Sequence, residues 1–302
     1  MRWKGSRKSS NVEDRRGQSS GYNTARSGAG LLNFIPMLIK TKTGRIMLLV
    51  GVVVFFGSRM MGIDLLPLLL GGGSGPAVTQ QPRELTASEK EMGEFAASVL
   101  AYTEDAWQII FREIGKQYKE PTLVLFSNGV SSACGMASSA VGPFYCPGDQ
   151  QLYVDLAFFD DLASRHGAPG DFAQAYVIAH EVGHHVQNLL GISAQVRQAQ
   201  SGKSKAQTNA LSVRQELQAD CFAGLWGYYA NTREQVLDPG DLEEALTAAT
   251  AIGDDRLQRE AGRSVVPDSF THGSSAQRVK WFKRGFESGD INACDTFSGS
   301  ID

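Results

Sequence analysis

The stretch Ala179-His-Glu-Val-Gly-His-His-Val-Gln187 decides the fold and the chemistry of this chain. It lies within residues 172–190, which are predicted to form a helix that is apolar on nearly all sides. Residues four apart share one face of a helix, so His180 and His184 can bind one ion, and Glu181 can reach a water held there. This H-E-x-x-H pattern is typical of zinc hydrolases. A polar surface helix is the alternative, but the apolar neighbours favour burial, where such side chains need partners.

A second predicted helix, at residues 207–230, supplies the remaining ligand. Catalytic zinc takes three protein ligands and leaves a fourth position open. Glu216 and Asp220 are four residues apart and therefore share a face. We expect Glu216 to be the third ligand and Asp220 to accept a hydrogen bond from the free N–H of a ligand imidazole, that of His180. His166, in a Gly-rich loop upstream, is the alternative third ligand.

The order of these motifs carries a family resemblance. H-E-x-x-H followed by E-x-x-x-D on a later helix resembles the gluzincin metallopeptidases. The longer stretch from His180 to Asn188 resembles the bacterial putative neutral zinc metallopeptidase (YpfJ-like) family, as do Gly142-Pro-Phe-Tyr-Cys-Pro147, Tyr153-Val-Asp-Leu156 and Thr271-His-Gly-Ser-Ser275. The similarity covers about residues 30–297 and implies a zincin-like domain with one Zn²⁺.

The expected chemistry assigns a role to each polar group. Glu181 would take a proton from a metal-activated water and deliver it to the leaving amine. Because gluzincins often use a His or Tyr from a later segment to stabilise the oxyanion, we expect His272 to do so here, with Tyr153 or Tyr145 as alternatives. His185 points away from His180 on the helix, so a buried structural hydrogen bond is its expected role.

The charge is distributed unevenly along the 302 residues. Residues 1–45 hold ten basic and two acidic side chains, a net charge of +8, whereas the rest of the chain carries −11. We interpret residues 1–45 as a disordered basic cytoplasmic tail, 46–66 as a transmembrane anchor and 67–84 as a linker. A buried core helix and a cleaved signal peptide are the alternatives for the apolar run. The tail adjoins that run, which favours a membrane partner over nucleic acid.

Residues 85–302 are predicted to be the zinc metallopeptidase domain, in an α+β fold that is mostly helical with a small sheet. Its first helix is predicted to begin at the capping-box pattern Thr86-Ala-Ser-Glu89, and a later helix is predicted from Asp241 to about Gln258. Residues 151–159 alternate as a half-buried strand, a possible edge for an extended peptide, and 127–149 are a possible wall or lid. All four cysteines lie in this domain, which favours disulfides in an oxidising compartment over cysteine–zinc binding. The expected pairs are Cys134 with Cys146 and Cys221 with Cys294.

These features predict a membrane-anchored zinc endopeptidase. The single crossing would place the N-terminus inside and the catalytic domain outside the cytoplasm, facing peptides or unfolded envelope proteins as substrates. Two other functions fit the same residues. One is a non-catalytic, membrane-tethered zinc-binding scaffold, and the other is a zinc hydrolase of non-peptide envelope amides.

Overall fold

The computed structural model describes residues 1–17, 83–138 and 142–302. The predicted anchor, and the predicted linker up to residue 82, lie outside these residues. Met1–Gly17 and Glu84–Asp302 form one compact unit, and its fold is α+β and mostly helical, as predicted. Within the described ranges, no helix has both the length and the apolar character needed to cross a membrane.

A four-stranded mixed sheet forms one side of the unit, in the order β1-β2-β6-β5. The first three of these strands are parallel, and β5 is antiparallel to β6. A separate hairpin pairs β3 with β4. The strands are β1 (Val12–Asp14), β2 (Thr122–Phe126), β3 (Gly129–Ser132), β4 (Gly135–Ser138), β5 (Phe144–Cys146) and β6 (Gln151–Asp155).

The predicted strand at 151–159 is corrected in two respects. It ends at Asp155, because the Asp155 carboxylate accepts the N–H groups of Asn128 and Ala157, and the chain then turns into the short helix Ala157–Ser164. It is also internal to the sheet, between β2 and β5, so it offers no free edge. The edge strand on this side is β5.

The predicted disordered tail is wrong for residues 1–17, which are part of the folded unit. Val12–Asp14 add a parallel strand to β2. The Ser9 hydroxyl and the Asn11 amide both donate to the carboxylate of Glu104, which is buried. Strand pairing and ion pairs hold this segment in place, so it is ordered although its sequence lacks apolar periodicity. Its basic residues pair with acidic ones of the same unit: Arg2 with Asp238, Lys4 with Glu91, Arg7 with Glu104 and Asp105, Lys8 with Glu94, Arg15 with Glu13, and Arg16 with Asp14.

Eight α-helices and two short 3-10 helices, Pro267–Ser269 and Ile291–Cys294, complete the described unit. The predicted capping box at Thr86 and Glu89 opens the first of them. The predicted helix at 241–258 divides in two at Gly253, where the backbone is extended (φ −70°, ψ 140°). Gly253 also packs so closely against the start of the last helix that a Cβ there would collide with Ser275. The helices are α1 (Ala87–Glu113), α2 (Ala157–Ser164), α3 (Asp171–Leu189), α4 (Ile192–Gln200), α5 (Lys205–Glu234), α6 (Asp241–Ala251), α7 (Asp254–Glu260) and α8 (Ser275–Ser288).

Small residues let α3, α5 and α8 approach closely. A Cβ on Gly183 of α3 would lie 3.0 Å from the carbonyl oxygen of Ala219 on α5. Gly224 of α5 and Gly285 of α8 likewise face the backbone of the opposite helix, with no room for a Cβ. This packing brings the H-E-x-x-H face of α3 against the Glu216 and Asp220 face of α5.

Candidate metal centre

The side chains of His180, His184 and Glu216 converge between α3 and α5. Glu216 Oε2 lies 3.2 Å from His180 Nε2 and 3.4 Å from His184 Nε2. Tetrahedral zinc with bonds of about 2 Å places its ligand atoms about 3.3 Å apart, so the three side chains fit a zinc ion. His166 does not join this group, since its Nδ1 lies 3.5 Å from Glu260 Oε2.

The outer nitrogen of His180 contacts a buried charged network. Its Nδ1–H donates to Asp220 Oδ1 over 2.8 Å, which leaves Nε2 free to face a metal. The same carboxylate accepts from the Tyr176 hydroxyl and, through both oxygens, from the Arg278 guanidinium. Asp220 and Arg278 are 0% and 2% exposed. Asp220 therefore occupies the place predicted for it, and Arg278 balances its charge.

The outer nitrogen of His184 has a neutral partner. Its Nδ1 donates to Gln187 Oε1 over 2.9 Å, one helical turn further along α3. The Gln187 amide nitrogen in turn donates to the carbonyl of Gln215 and to Gln218 Oε1. Both ligand histidines thus present Nε2 to the centre, one backed by a carboxylate and the other by an amide.

Charge couples the three ligands before any metal binds. Burial opposes protonation of His184, but the Glu216 carboxylate outweighs it and raises the pKa of His184 to about 10. For His180, burial is likewise outweighed by Asp220, so its pKa is also raised. Burial would raise the pKa of Glu216, yet the two histidines hold it well below its usual range. Protons therefore compete with a metal for this site.

Glu181 lies beside the ligands and is itself buried. Burial raises the pKa of its carboxyl, although the nearby histidines and a hydrogen bond from the backbone N–H of Tyr145 act in the opposite direction. Tyr145 belongs to the edge strand β5, so this contact joins the base position to the sheet. A carboxylate with a raised pKa beside a metal site is suited to hold a proton during hydrolysis.

His272 lies at the same cleft and is oriented by an acidic residue that sequence analysis missed. Its Nδ1 faces Asp254 Oδ1 at 3.4 Å, and Asp254 Oδ2 accepts the backbone N–H groups of Thr271, His272 and Gly273. The hydrogen bond to Asp254 raises the pKa of His272, which favours its cationic, donating form. The side chain is half exposed, at 51%.

The alternative oxyanion donors are engaged elsewhere. The Tyr145 hydroxyl contacts His185 Nδ1 and the Asn188 amide, each at 3.1 Å, and the Tyr153 hydroxyl donates to Asp149. His185 also donates from Nε2 to the carbonyl of Lys119, and burial lowers its pKa to about 4. His185 is therefore a neutral, hydrogen-bonded residue that connects α3 to β5 and to the loop before β2.

A cleft of about 430 Å³ opens over the ligand group. Residues 142–145, leading into and along β5, form one wall, so part of the 127–149 segment is a wall of the cleft. His272 and Arg278 line the same cleft. Both predicted disulfides are present: Cys134–Cys146 ties the β3–β4 hairpin to the end of β5, and Cys221–Cys294 ties α5 to the C-terminal segment.

Comparison with known proteins agrees with this geometry. The model of the family described as "putative neutral zinc metallopeptidase" matches residues 1–297. The chain belongs to this family. An uncharacterized protein of Escherichia coli strain K12, YpfJ, is 50% identical over 303 residues, covering 100% of both chains. Uncharacterized proteins of Mycobacterium bovis (Mb2605) and Mycobacterium tuberculosis (Rv2575) are each 41% identical over 255 residues, covering 77% of this chain and 85% of theirs.

No solved structure matches this chain. Family membership therefore supports a zinc peptidase at the level of the family, and the details of the site rest on the geometry above. Three residues of that site were missed by sequence analysis. Gln187 carried a signal, since it lies three residues beyond His184 on the same helix. Asp254 and Arg278 carried none, because their partners are distant in sequence.

Proposed function

We propose that this protein is a zinc-dependent endopeptidase that hydrolyses peptide bonds of extracytoplasmic substrates. The observation that carries the proposal is the convergence of His180 Nε2, His184 Nε2 and Glu216 Oε2 beside a buried Glu181 at the base of an open cleft. Two histidines and one glutamate leave a fourth position for water, as in catalytic rather than structural zinc sites.

Each polar residue of the site would have a separate role in hydrolysis. Zinc, when bound, would activate water and polarise the scissile carbonyl. Glu181 would accept the proton of the attacking water and return it to the leaving amine. His272, held by Asp254, would donate a hydrogen bond to the oxygen that gains negative charge. An extended peptide would lie in the cleft along the outer edge of β5, where the backbone N–H of Tyr145 is already bonded to Glu181.

The proposed compartment rests on the two disulfides, which are typical of proteins outside the reducing cytoplasm. Attachment to a membrane through residues 46–66 stays a proposal. The pairing of β1 with β2 supports a revised topology, because Met1–Gly17 and Glu84–Asp302 must then lie on one side of the membrane.

The topology is tested with Ser10→Cys and Lys280→Cys, which introduce exposed thiols into the two parts of the unit. A membrane-impermeant maleimide applied to intact cells or spheroplasts should label both variants or neither. Labelling of Lys280→Cys without Ser10→Cys would restore the single crossing and overturn the revised topology.

The activity is tested on the full chain, because residues 1–17 belong to the catalytic unit. Purified protein loaded with zinc should cleave an unfolded protein such as reduced casein, and Glu181→Gln should bind zinc equally well without cleaving. Zinc binding with no cleavage by either form would favour the membrane-tethered scaffold. Activity on envelope amides but not on peptides would favour the non-peptide hydrolase.

A further inference from the structure

We propose that the metal ligand His184 is positioned by a directional hydrogen-bond relay that runs through Gln187 and Gln218 and ends at the backbone carbonyl of Cys294. This inference rests on the zinc site of the proposed function. Gln187 and Gln218 are positioning residues in it, since neither reaches the metal position itself.

The relay consists of three consecutive hydrogen bonds. His184 Nδ1 donates to Gln187 Oε1 over 2.9 Å, and Gln187 Nε2 donates to Gln218 Oε1 over 3.1 Å. Gln218 Nε2 then donates to the carbonyl oxygen of Cys294 over 3.1 Å. Gln187 and Gln218 are 0% and 6% exposed, so water does not replace these partners readily.

The direction of the relay is fixed at its outer end. A backbone carbonyl can only accept, so the Cys294 oxygen requires the NH₂ group of Gln218 to face it. The Gln218 oxygen must then face Gln187, whose NH₂ group is also required by the carbonyl of Gln215, at 2.6 Å. The Gln187 oxygen is left facing His184 and selects the tautomer with a proton on Nδ1, which leaves Nε2 to bind metal.

The Cys221–Cys294 disulfide holds the end of the relay in place. Cys221 lies on α5, one turn after Gln218, and its bridge pins the segment that carries the Cys294 carbonyl. Loss of this bridge should therefore loosen the relay and reduce zinc affinity. The Cys134–Cys146 bridge has no connection to the relay and gives a matched comparison.

The test measures zinc binding by chelator competition, in the full chain, on Gln187→Met and Gln218→Met. Methionine keeps the apolar volume but removes both the donor and the acceptor. We expect Gln187→Met to weaken zinc binding by about 10–100-fold, the range for partners of metal-ligating histidines, and Gln218→Met to weaken it less. Gln198→Met, at an exposed position on α4, is the control and should bind zinc like the wild type.

Two further measurements separate positioning from general damage. The visible spectrum of the Co²⁺-substituted protein, which reports ligand geometry, should change in Gln187→Met and not in Gln198→Met. The double variant Cys221→Ala/Cys294→Ala should lose zinc affinity, whereas Cys134→Ala/Cys146→Ala should not. If Gln187→Met fails to fold, as judged by circular dichroism, the zinc affinity of Gln218→Met, the milder change, tests the relay.

Zinc affinity within about twofold of the wild type in both Gln187→Met and Gln218→Met would overturn the relay, since its loss is expected to cost at least tenfold at Gln187. An equal loss in Gln198→Met would overturn it as well. Both readouts are independent of peptide cleavage. A wild type that binds zinc without cleaving, with Gln187→Met impaired in binding, would refute the peptidase and leave the relay standing.

Discussion

Replacement of Asp220 by asparagine tests how the buried network behind His180 contributes to the stability of the fold and, separately, to metal binding. The Asp220 carboxylate pairs with Arg278 through two hydrogen bonds of 2.9 Å, and both side chains are almost fully buried. The pKa of Asp220 is held at about 2, because Arg278 and His180 outweigh the effect of burial. The pair is therefore charged at neutral pH, and Asp220→Asn leaves the Arg278 cation buried without a counter-ion.

Leaving one partner of a buried ion pair alone costs about 3–5 kcal/mol. For a domain of this size, that loss corresponds to a fall in Tm of about 6–20 °C. Calorimetry on protein stripped of zinc gives the stability effect without a contribution from metal binding. Glu287→Gln, an exposed carboxylate on α8, is the control and should change stability by less than about 0.5 kcal/mol.

The double variant Asp220→Asn/Arg278→Met provides the sharper result. It removes both charges, so most of the lost stability should return. Zinc affinity should stay reduced by about 10–100-fold, because His180 still lacks its carboxylate acceptor. If Asp220→Asn costs less than about 1 kcal/mol, or if the double variant is no more stable than the single one, Asp220 and Arg278 do not form the coupled pair described above.

The remaining predictions concern the cleft, the ligands and the N-terminal segment. His272→Ala should reduce kcat by about 10²–10³-fold and leave zinc affinity unchanged, and an equal loss of zinc would assign it to the metal site instead. The raised pKa of His184 in the metal-free site, about 10, means that zinc displaces at least one proton, so apparent affinity should rise by at least about tenfold per pH unit between pH 6 and 8. A flat profile in chelator competition would show that His184 is not protonated there. The same shift stabilises the metal-free fold below about pH 6.5, the unfolded value, and this contribution is lost as the pH rises towards 10. Deletion of residues 2–17 should lower the midpoint of urea unfolding, since it uncovers the edge of β2 and leaves the buried carboxylate of Glu104, on α1, without its partners. An unchanged midpoint would contradict the role of β1 in the fold.

The features that sequence analysis predicted correctly depend on spacing within one element. The helix around His180, the shared face of Glu216 and Asp220, and the capping box at Thr86 all follow from the helical repeat. Local patterns of this kind are visible in the sequence because the interacting residues are three or four positions apart.

The features that were missed depend on contacts between distant residues. Ser9 donates to Glu104, 95 positions away, and Arg278 pairs with Asp220, 58 positions away. Neither contact leaves a periodic pattern in the sequence. Residues 1–17 therefore lacked a pattern that predicts ordered structure, and Arg278 could not be distinguished from a solvent-exposed arginine on a helix. The strand predicted at 151–159 is present only as far as Asp155, where the capping contacts of that carboxylate end it, and residues 152–155 are buried on both faces of the sheet instead of half-buried.

Both ligand histidines are supported from the C-terminal part of the chain. Arg278, on α8, neutralises the carboxylate that holds His180, and the carbonyl of Cys294, in the short helix after α8, ends the relay that holds His184. The close contact of α8 with α5 at Gly285 keeps both supports in register with the face of α5 that carries Glu216. The cleft over the ligands is lined by β5 and the loop at His272, but also by Arg278 itself. Substrate-binding residues on β5 and on the His272 loop can therefore change without altering these two supports, whereas a change at Arg278 would alter both the cleft and the network that orients His180.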